Sequence, residues 1–439
     1  MSRAAPIAIT GMGCRLPGAA TPAQLWGLLM AKADAVADTA PAGRPDTAAL
    51  YSPVPRAHGR LASAAGGYLD DLGAFDPDQY ALTAREAAAL DPQHKVLLAT
   101  AADALADAGL DPAKLAGGDT GVFTGQSTGE HWDAGRGLAP ADMYAIAGAA
   151  ARSMASGRIS YAWDLRGPCA TVDAACSSGT LAVHLACQAL RAGECDTALA
   201  GGVSLVLGAD HSLGYSAAGM LAPSGRCRFG DESADGFIRA DGCGVLVLKT
   251  LGAAVASHDR VHAVILASAQ ASKGRTAKAI IAPSAEGYHQ VISRAAASAG
   301  ISPGDIGYVE AHGNGSPAAD ATELQAIGTV IGRHRPPGQP CLVGSVKTNI
   351  GHAEAAGGLA GIIKTALALR HGQIPASLHC PQPTTAVDWA GLGIAPVTEP
   401  TAWPSPGPAI AGVSTYGLSG TFVHILLSPP PAQGAGPTP

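Results

Sequence analysis

Thr171-Val172-Asp173-Ala174-Ala175-Cys176-Ser177-Ser178-Gly179-Thr180 ends an apolar, strand-like run and opens a helical one, with Cys176 at the change. From Leu181 the apolar residues recur at helical spacing, as Leu181, Leu185, Ala189 and Ala182, Ala186, Leu190, and the run stops at Arg191-Ala192-Gly193, a cationic last turn with a glycine. Cys176 is therefore expected at or just before a helix N-terminus. Unpaired N–H groups and the positive end of the helix dipole favour an anion there, which predicts a lowered thiol pKa and offers donors to an oxyanion. Ala174, Ala175, Ser177, Ser178 and Gly179 are small enough for another group to approach the sulfur, as a strand-to-helix nucleophile elbow requires. A free cysteine is also a common packing residue, so a nucleophile here calls for partners elsewhere in the chain.

At 439 residues the chain exceeds the usual single-core limit and predicts two core units or one large layered domain. Apolar residues make up 47% and charged residues 14%, with 57 glycines, a composition suited to closely packed helices and strands buried on both faces. The net charge of −6 and the absence of an aromatic-interleaved basic stripe exclude a nucleic-acid footprint. Nine scattered cysteines with no C-x-x-C pair argue against a disulfide framework or a thiolate metal site, and fit a reducing cytoplasm. No run approaches the roughly 18 apolar residues of a membrane span, and Pro6–Gly13 reads as a first strand rather than a signal segment. A soluble, cytoplasmic protein without membrane contact is expected.

Along the chain, apolar runs and helical periodicities alternate, and around residue 255 the pattern begins again. Leu342–Val346 is a predicted strand that passes through a loop into a helix over 355–371 ending Ala368-Leu369-Arg370-His371-Gly372. The first half closes the same strand–loop–helix unit with Ala189-Leu190-Arg191-Ala192-Gly193. This echo predicts two pseudo-equivalent α/β halves, over 1–255 and 256–430, followed by a disordered Pro/Gly tail at 431–439. A helix is also expected over 140–155.

Two further loops carry chemistry. Glu310-Ala311-His312-Gly313-Asn314-Gly315-Ser316 follows a predicted strand, and Lys347-Thr348-Asn349-Ile350-Gly351-His352 lies between a strand and a helix. Cys176, His312 and His352 each fall at the C-terminal end of a buried strand beside glycines, where α/β proteins place reactive groups. With V-D-A-A-C-S-S at Cys176, E-A-H-G at His312, K-T-N-I-G-H ending at His352, G-R-I-S-Y at 157–161, D-P-Q at 91–93 and A-L-A-G-G-V at 198–203, the chain resembles the β-ketoacyl synthases of fatty-acid and polyketide assembly over residues 5–428. G-M-L-A-P-S-G-R-C at 219–227 is closest to the modular polyketide branch.

The resemblance implies a thiolase-like α/β fold, layered αβαβα, and a discrete ketosynthase, or one excised from a larger synthase, an acyltransferase of the 3-oxoacyl-carrier-protein synthase type. It would form a carbon–carbon bond by decarboxylative Claisen condensation. Cys176 would carry the acyl group, and His312 and His352 would act on a malonyl-type extender. The backbone N–H groups of Cys176 and Leu418 would form an oxyanion hole. Lys347 and Glu323 would pair as a supporting element, with Asp320 structural. Asn314, Ser316, Phe229, Gly230 and Phe422 become candidates for the pantetheine and acyl pocket. The resemblance implies no bound cofactor and no metal, substrates carried on the phosphopantetheine of an acyl carrier protein, and a homodimer.

Some positions depart from the family pattern. Asn314 and Ser316 stand where threonines are usual, Ala319 where glycine is, Gly230 where a large aromatic is, and Phe422 where asparagine is. Ala271-Ser272-Lys273-Gly274 replaces a common Asn-x-Asp-Gly loop. A non-elongating acyl-transferring relative and a non-catalytic partner of the chain-length-factor type are the competing expectations.

Overall fold

The computed structural model describes residues 4–72, 75–135, 143, 146–404 and 409–431. The core strands are β1 (Ile7–Arg15), β2 (Gly121–Gly125), β3 (Cys169–Val172), β4 (Ala198–Ser204), β5 (Gly242–Thr250), β6 (Ala263–Ser272), β7 (Ile306–Glu310), β8 (Cys341–Gly344), β9 (Ile394–Pro396), β10 (Ile410–Tyr416) and β11 (Thr421–Ser428). They order as β9-β8-β7-β10-β11-β6-β1-β5-β4-β2-β3.

Within that order lies a repeat. The first half runs β1-β5-β4-β2-β3, with two antiparallel pairings followed by two parallel ones. The second half runs β6-β11-β10-β7-β8 with the same sequence of pairings, and β9 adds one parallel strand at its edge. The halves join where Ile7, Ala8 and Ile9 pair antiparallel with Ile265, Val264 and Ala263. Strands β2, β4, β7 and β10 are buried along their whole length, which their small and apolar residues permit and which sheets covered on both faces demand.

The covering helices form three layers. Helix α1 (Pro92–Asp107) packs on the outer face of the first half, and α3 (Ala285–Ala299) with α4 (Pro317–Val330) on the second. Between the two halves of the sheet lie α2 (Ser178–Ala192) and α5 (Glu354–His371), touching each other and strands of both halves. The fold is thus the expected αβαβα, thiolase-like one. Each central helix ends on a left-handed glycine, Gly193 at φ 72° and Gly372 at φ 67°, so the A-L-R-x-G echo marks the same C-cap twice. Helix α5 is buried nearly end to end, as its Ala/Gly/Leu/Ile composition allows.

Part of the helix expected over 140–155 lies outside the described residues. Beyond it, Ile146–Ala150 forms a π-helical turn and Met154–Ala162 a regular helix holding the G-R-I-S-Y segment. Of the expected tail, residues 432–439 also lie outside the described residues.

Candidate active site

Cys176 sits in the turn between β3 and α2, two residues before the helix begins. Ala175 adopts φ +51°, a left-handed conformation costly for a residue with a Cβ, and this sharp turn presents the sulfur. Local hydroxyls hold the turn: Ser178 Oγ accepts from Ala174 N (2.9 Å) and donates to Ala175 O (2.6 Å), and Ser177 Oγ donates to Ala174 O (2.8 Å). The β10–β11 turn presses on this elbow so tightly that a Cβ at Gly417 would lie 2.1 Å from Ala174 O and 2.7 Å from Ser177 Oγ.

His352 occupies the equivalent turn of the second half, between β8 and α5. Its backbone is pinned by His352 N donating to Ile238 O (2.7 Å) and Ala240 N donating to His352 O (2.9 Å). His312 follows β7, and Glu323 on α4 fixes its loop by accepting from His312 N (2.7 Å) and Gly313 N (2.9 Å). Asp320 does the same one turn earlier, accepting from Gly230 N and Gly315 N, both at 3.3 Å.

Cys176, His312 and His352 line one cavity of about 130 Å³, whose wall also includes Asn314, Ser316, Glu354, Tyr416 and Leu418. The imidazole rings stand edge to face, with centroids 5.4 Å apart. His312 Nδ1 accepts from the Tyr416 backbone N–H (3.3 Å), and His352 Nδ1 accepts from that of Glu354 (3.2 Å). Burial first, and then the Lys347 charge, push both imidazoles well below the usual histidine range, so both are neutral. A neutral ring that accepts at Nδ1 carries its hydrogen on Nε2. His352 Nε2 is buried and has no protein partner among the described residues. An orphaned buried donor costs about 1–3 kcal/mol and implies a partner that arrives with substrate.

The thiol corrects one expectation. Burial, followed by the neighbouring Glu354 carboxylate, pushes Cys176 up to about 12, against the opposing pull of Lys347, its own backbone N–H and Arg239. Desolvation outweighs the helix terminus here, and the resting sulfur is a thiol.

Other expected residues are placed differently. Lys347 and Glu323 form no direct ion pair among the described residues: Glu323 uses both oxygens on backbone N–H groups, and burial raises it to about 7. Lys347 is buried and acts on the histidines through its charge. Phe229, Gly230 and Phe422 do not line the cavity. Phe422 is fully buried, edge-on to Tyr288 at 4.7 Å and behind the cavity-lining Tyr416. Phe229 packs in the same second-half core, and Gly230, at φ +73°, faces Trp389. Asn314 and Ser316 do line it, with Asn314 Oδ1 accepting from Ser316 N at 3.1 Å.

Two buried ionic groups beside the cavity could not be read as pairs from the sequence. Lys364 on α5 lies 2.8 Å from Glu310, which also accepts from Val346 N and Tyr308 Oη, both at 2.6 Å. Arg239 bridges Glu354 and Glu130, each at 2.6 Å. Basic and acidic residues within otherwise apolar helices and loops are the available sequence sign of such pairs, and neither names its partner.

A cysteine on an elbow, two neutral imidazoles facing the same cavity and an αβαβα fold define a thiolase-like centre for acyl-thioester chemistry. Residues 4–254 match the β-ketoacyl synthase N-terminal domain and residues 262–381 its C-terminal domain. The chain belongs to the β-ketoacyl synthase family, a family of acyltransferases.

It is 46% identical over 435 residues to a mycocerosic acid synthase-like polyketide synthase of Mycolicibacterium smegmatis, covering 98% of this chain and 20% of that protein. It is 43% identical over 430 residues to a phenolphthiocerol/phthiocerol polyketide synthase of Mycobacterium bovis, covering 97% of this chain and 23% of that one. Among solved structures, an oxazolomycin ketosynthase domain from Streptomyces albus superposes with a TM-score of 0.91 at 33% identity, covering 99% of this chain and 76% of that one. The module 6 ketosynthase of the Bacillus subtilis bacillaene synthase gives 0.89 at 33% identity, over 99% and 73%. The chain spans about a fifth of the length of the curated relatives it matches, and corresponds to their ketosynthase domain. The expected free-standing enzyme has no counterpart in these relatives.

Proposed function

We propose that the chain condenses an acyl group held on Cys176 with a malonyl-type extender on an acyl carrier protein, as a ketosynthase of polyketide assembly. The observation that carries this reading is the pair of neutral histidines with Nε2–H donors, one without a protein acceptor, facing the cavity of the elbow cysteine.

Cys176 Sγ attacks the carbonyl of an acyl thioester, and the backbone N–H groups of Cys176 and Leu418 receive the oxyanion. The carrier's pantetheine sulfur leaves and takes the thiol proton. Because the resting sulfur is protonated, transfer pairs loss of that proton with departure of the leaving thiolate. A malonyl thioester then binds, its amide arm along Asn314 and Ser316, with its thioester oxygen at the two Nε2–H groups. Loss of carbon dioxide leaves an enolate whose charge these neutral donors stabilise. The enolate carbon attacks the acyl-Cys176 carbonyl, Cys176 departs as thiolate and is reprotonated from solvent, and a β-ketoacyl thioester remains on the carrier. Glu323 and Asp320 hold the loop of His312, and burial, aided by the Lys347 charge, keeps both imidazoles neutral.

Strand β3 is one of the two edges of the sheet, Cys169 on it is exposed, and an edge strand of this kind suits pairing with a second copy about a two-fold axis. A homodimer follows, tested by light scattering. Nine unpaired cysteines suit a cytoplasmic location.

Intact-protein mass spectrometry tests the main reading. A simple acyl thioester should add one acyl group, Cys176→Ala should abolish the adduct, and malonyl-carrier protein should then give a β-keto product. Acylation without decarboxylation across several extenders would replace this reading with the transfer-only one.

A further inference from the structure

Lys273 stands at the end of β6 and is almost fully buried, 4% exposed. No carboxylate pairs with it among the described residues. Its ammonium is held instead by neutral oxygens: the carbonyls of Ala279 (3.3 Å), Ile280 and Ala282 (2.6 Å), and the Tyr416 hydroxyl (3.1 Å). The Tyr416 hydroxyl in turn donates to Ala282 O at 3.2 Å. The aliphatic stem of Lys273 lies along Gly420, where a Cβ would approach it at 3.1 Å, and Lys273 N donates to Gly420 O at 3.0 Å.

Lys273 therefore joins three pieces of chain, the turn 417–420 through its backbone N–H and stem and the other two through its ammonium. These are the 274–283 segment, the turn 417–420 and the end of β10. Each contributes to the cavity: Ile281 and Pro283 from the first, Leu418 from the second, Tyr416 from the third. Tyr416 is also the residue whose backbone N–H holds His312 Nδ1. A buried ammonium without a counter-ion is costly unless its donors are filled, so these oxygens are gathered around it in one arrangement.

We propose that Lys273 is a positioning residue of the site: through Tyr416 and the carbonyls of the 274–283 segment it fixes the cavity wall and the backbone donor that orients His312. Its catalytic consequence rests on the proposed role of His312 toward the extender. Lys273 touches no reacting atom.

The test compares Lys273→Met, which keeps the stem over Gly420 and removes the ammonium, with Tyr416→Phe and the double variant. Hydrogen exchange read by mass spectrometry should rise at least about tenfold in the 274–283 and Tyr416-containing peptides of Lys273→Met. Unchanged exchange in these peptides would overturn the proposal. With malonyl-pantetheine, kcat for decarboxylation should fall at least about tenfold with little change in KM, while the rate of Cys176 acylation stays within about twofold. The double variant should lose no more than the worse single one, because both break the same link. Equal loss in acylation and decarboxylation, or additive losses, would show a merely structural lysine and refute the positioning role. Should Lys273→Met not fold, Tyr416→Phe carries the same comparison. A wild-type protein that acylates without decarboxylating would sink the proposed function, and the exchange data would still decide the clamp.

Discussion

Replacing Lys364 by methionine removes the positive half of a buried ion pair. Lys364 and Glu310 have side chains 0% and 2% exposed, and Nζ lies 2.8 Å from Glu310 Oε2. Nζ also stands 5.8 Å above the Tyr308 ring. Stripping one partner from such a pair leaves an uncompensated buried charge and costs about 3–5 kcal/mol. Glu310 receives Val346 N and Tyr308 Oη, so its relaxation pulls on β8 just before the Lys347–His352 turn. Adding Glu310→Gln to Lys364→Met removes the stranded charge, keeps an amide oxygen to accept from Val346 N, and turns an NH2 donor toward Tyr308 Oη, whose oxygen can accept it. The double variant should lie within about 2 kcal/mol of wild type, the difference between charged and neutral hydrogen bonds. Urea unfolding followed by tryptophan fluorescence reads this directly. With m at about 5 kcal/mol per molar, above the roughly 1–3 of small proteins because m grows with chain length, the midpoint of Lys364→Met should fall by about 0.6–1 M and recover by half or better in the double variant. A single variant within about 0.3 M of wild type, or a double variant worse than either single, would refute the reasoning.

Other expectations follow from the same geometry. Cys176, at about 12, should alkylate slowly with iodoacetamide at pH 8, where about one sulfur in ten thousand is thiolate. Glu354→Gln removes the carboxylate that disfavours the thiolate and should speed alkylation several-fold at fixed pH; an unchanged or slower rate would exclude Glu354 as a control on the thiol. Glu323, raised by burial to about 7, holds the His312 loop best as a carboxylate, so condensation should weaken as pH falls through about 7. Both imidazoles already sit far below that range, so Glu323→Gln should flatten this acid limb. Gly417→Ala drives a Cβ into the elbow and should lower Cys176 acylation by at least about tenfold; acylation at the wild-type rate would mean that the turn yields without cost.

The local parts of the site are legible in the sequence, and the long-range ones are not. The elbow announces itself because strand periodicity gives way to helical periodicity at Cys176, and the A-L-R-x-G echo announces two halves because each central helix needs a left-handed glycine at its end. The thiol state is misjudged from sequence because the helix N-terminus is visible there while the Glu354 carboxylate and the surrounding protein are not. The family resemblance pairs Lys347 with Glu323, yet the nearest donors to Glu323 are backbone amides of the loop it serves. Phe229, Gly230 and Phe422 become pocket candidates through their departures from the family pattern, whereas the layer of Tyr416 separates Phe422 from the cavity. Lys364 reads in sequence as one polar residue in an apolar helix, and only the crossing of α5 over β7 supplies Glu310.

Cys176 and His352 stand at the same joint of two copies of one unit, and the two joints are carried by α2 and α5 side by side. Reactivity here is therefore a matter of alignment between two bodies rather than of either body's shape. A Cβ at Gly179 on α2 would lie 2.3 Å from Leu359 Cδ2 and 2.5 Å from Ala355 O on α5, so the spacing of the two joints is set by a helix contact without slack. Drift in that seam, even from substitutions remote from every reacting atom, would leave each joint intact and still throw the nucleophile out of step with the charge it must meet.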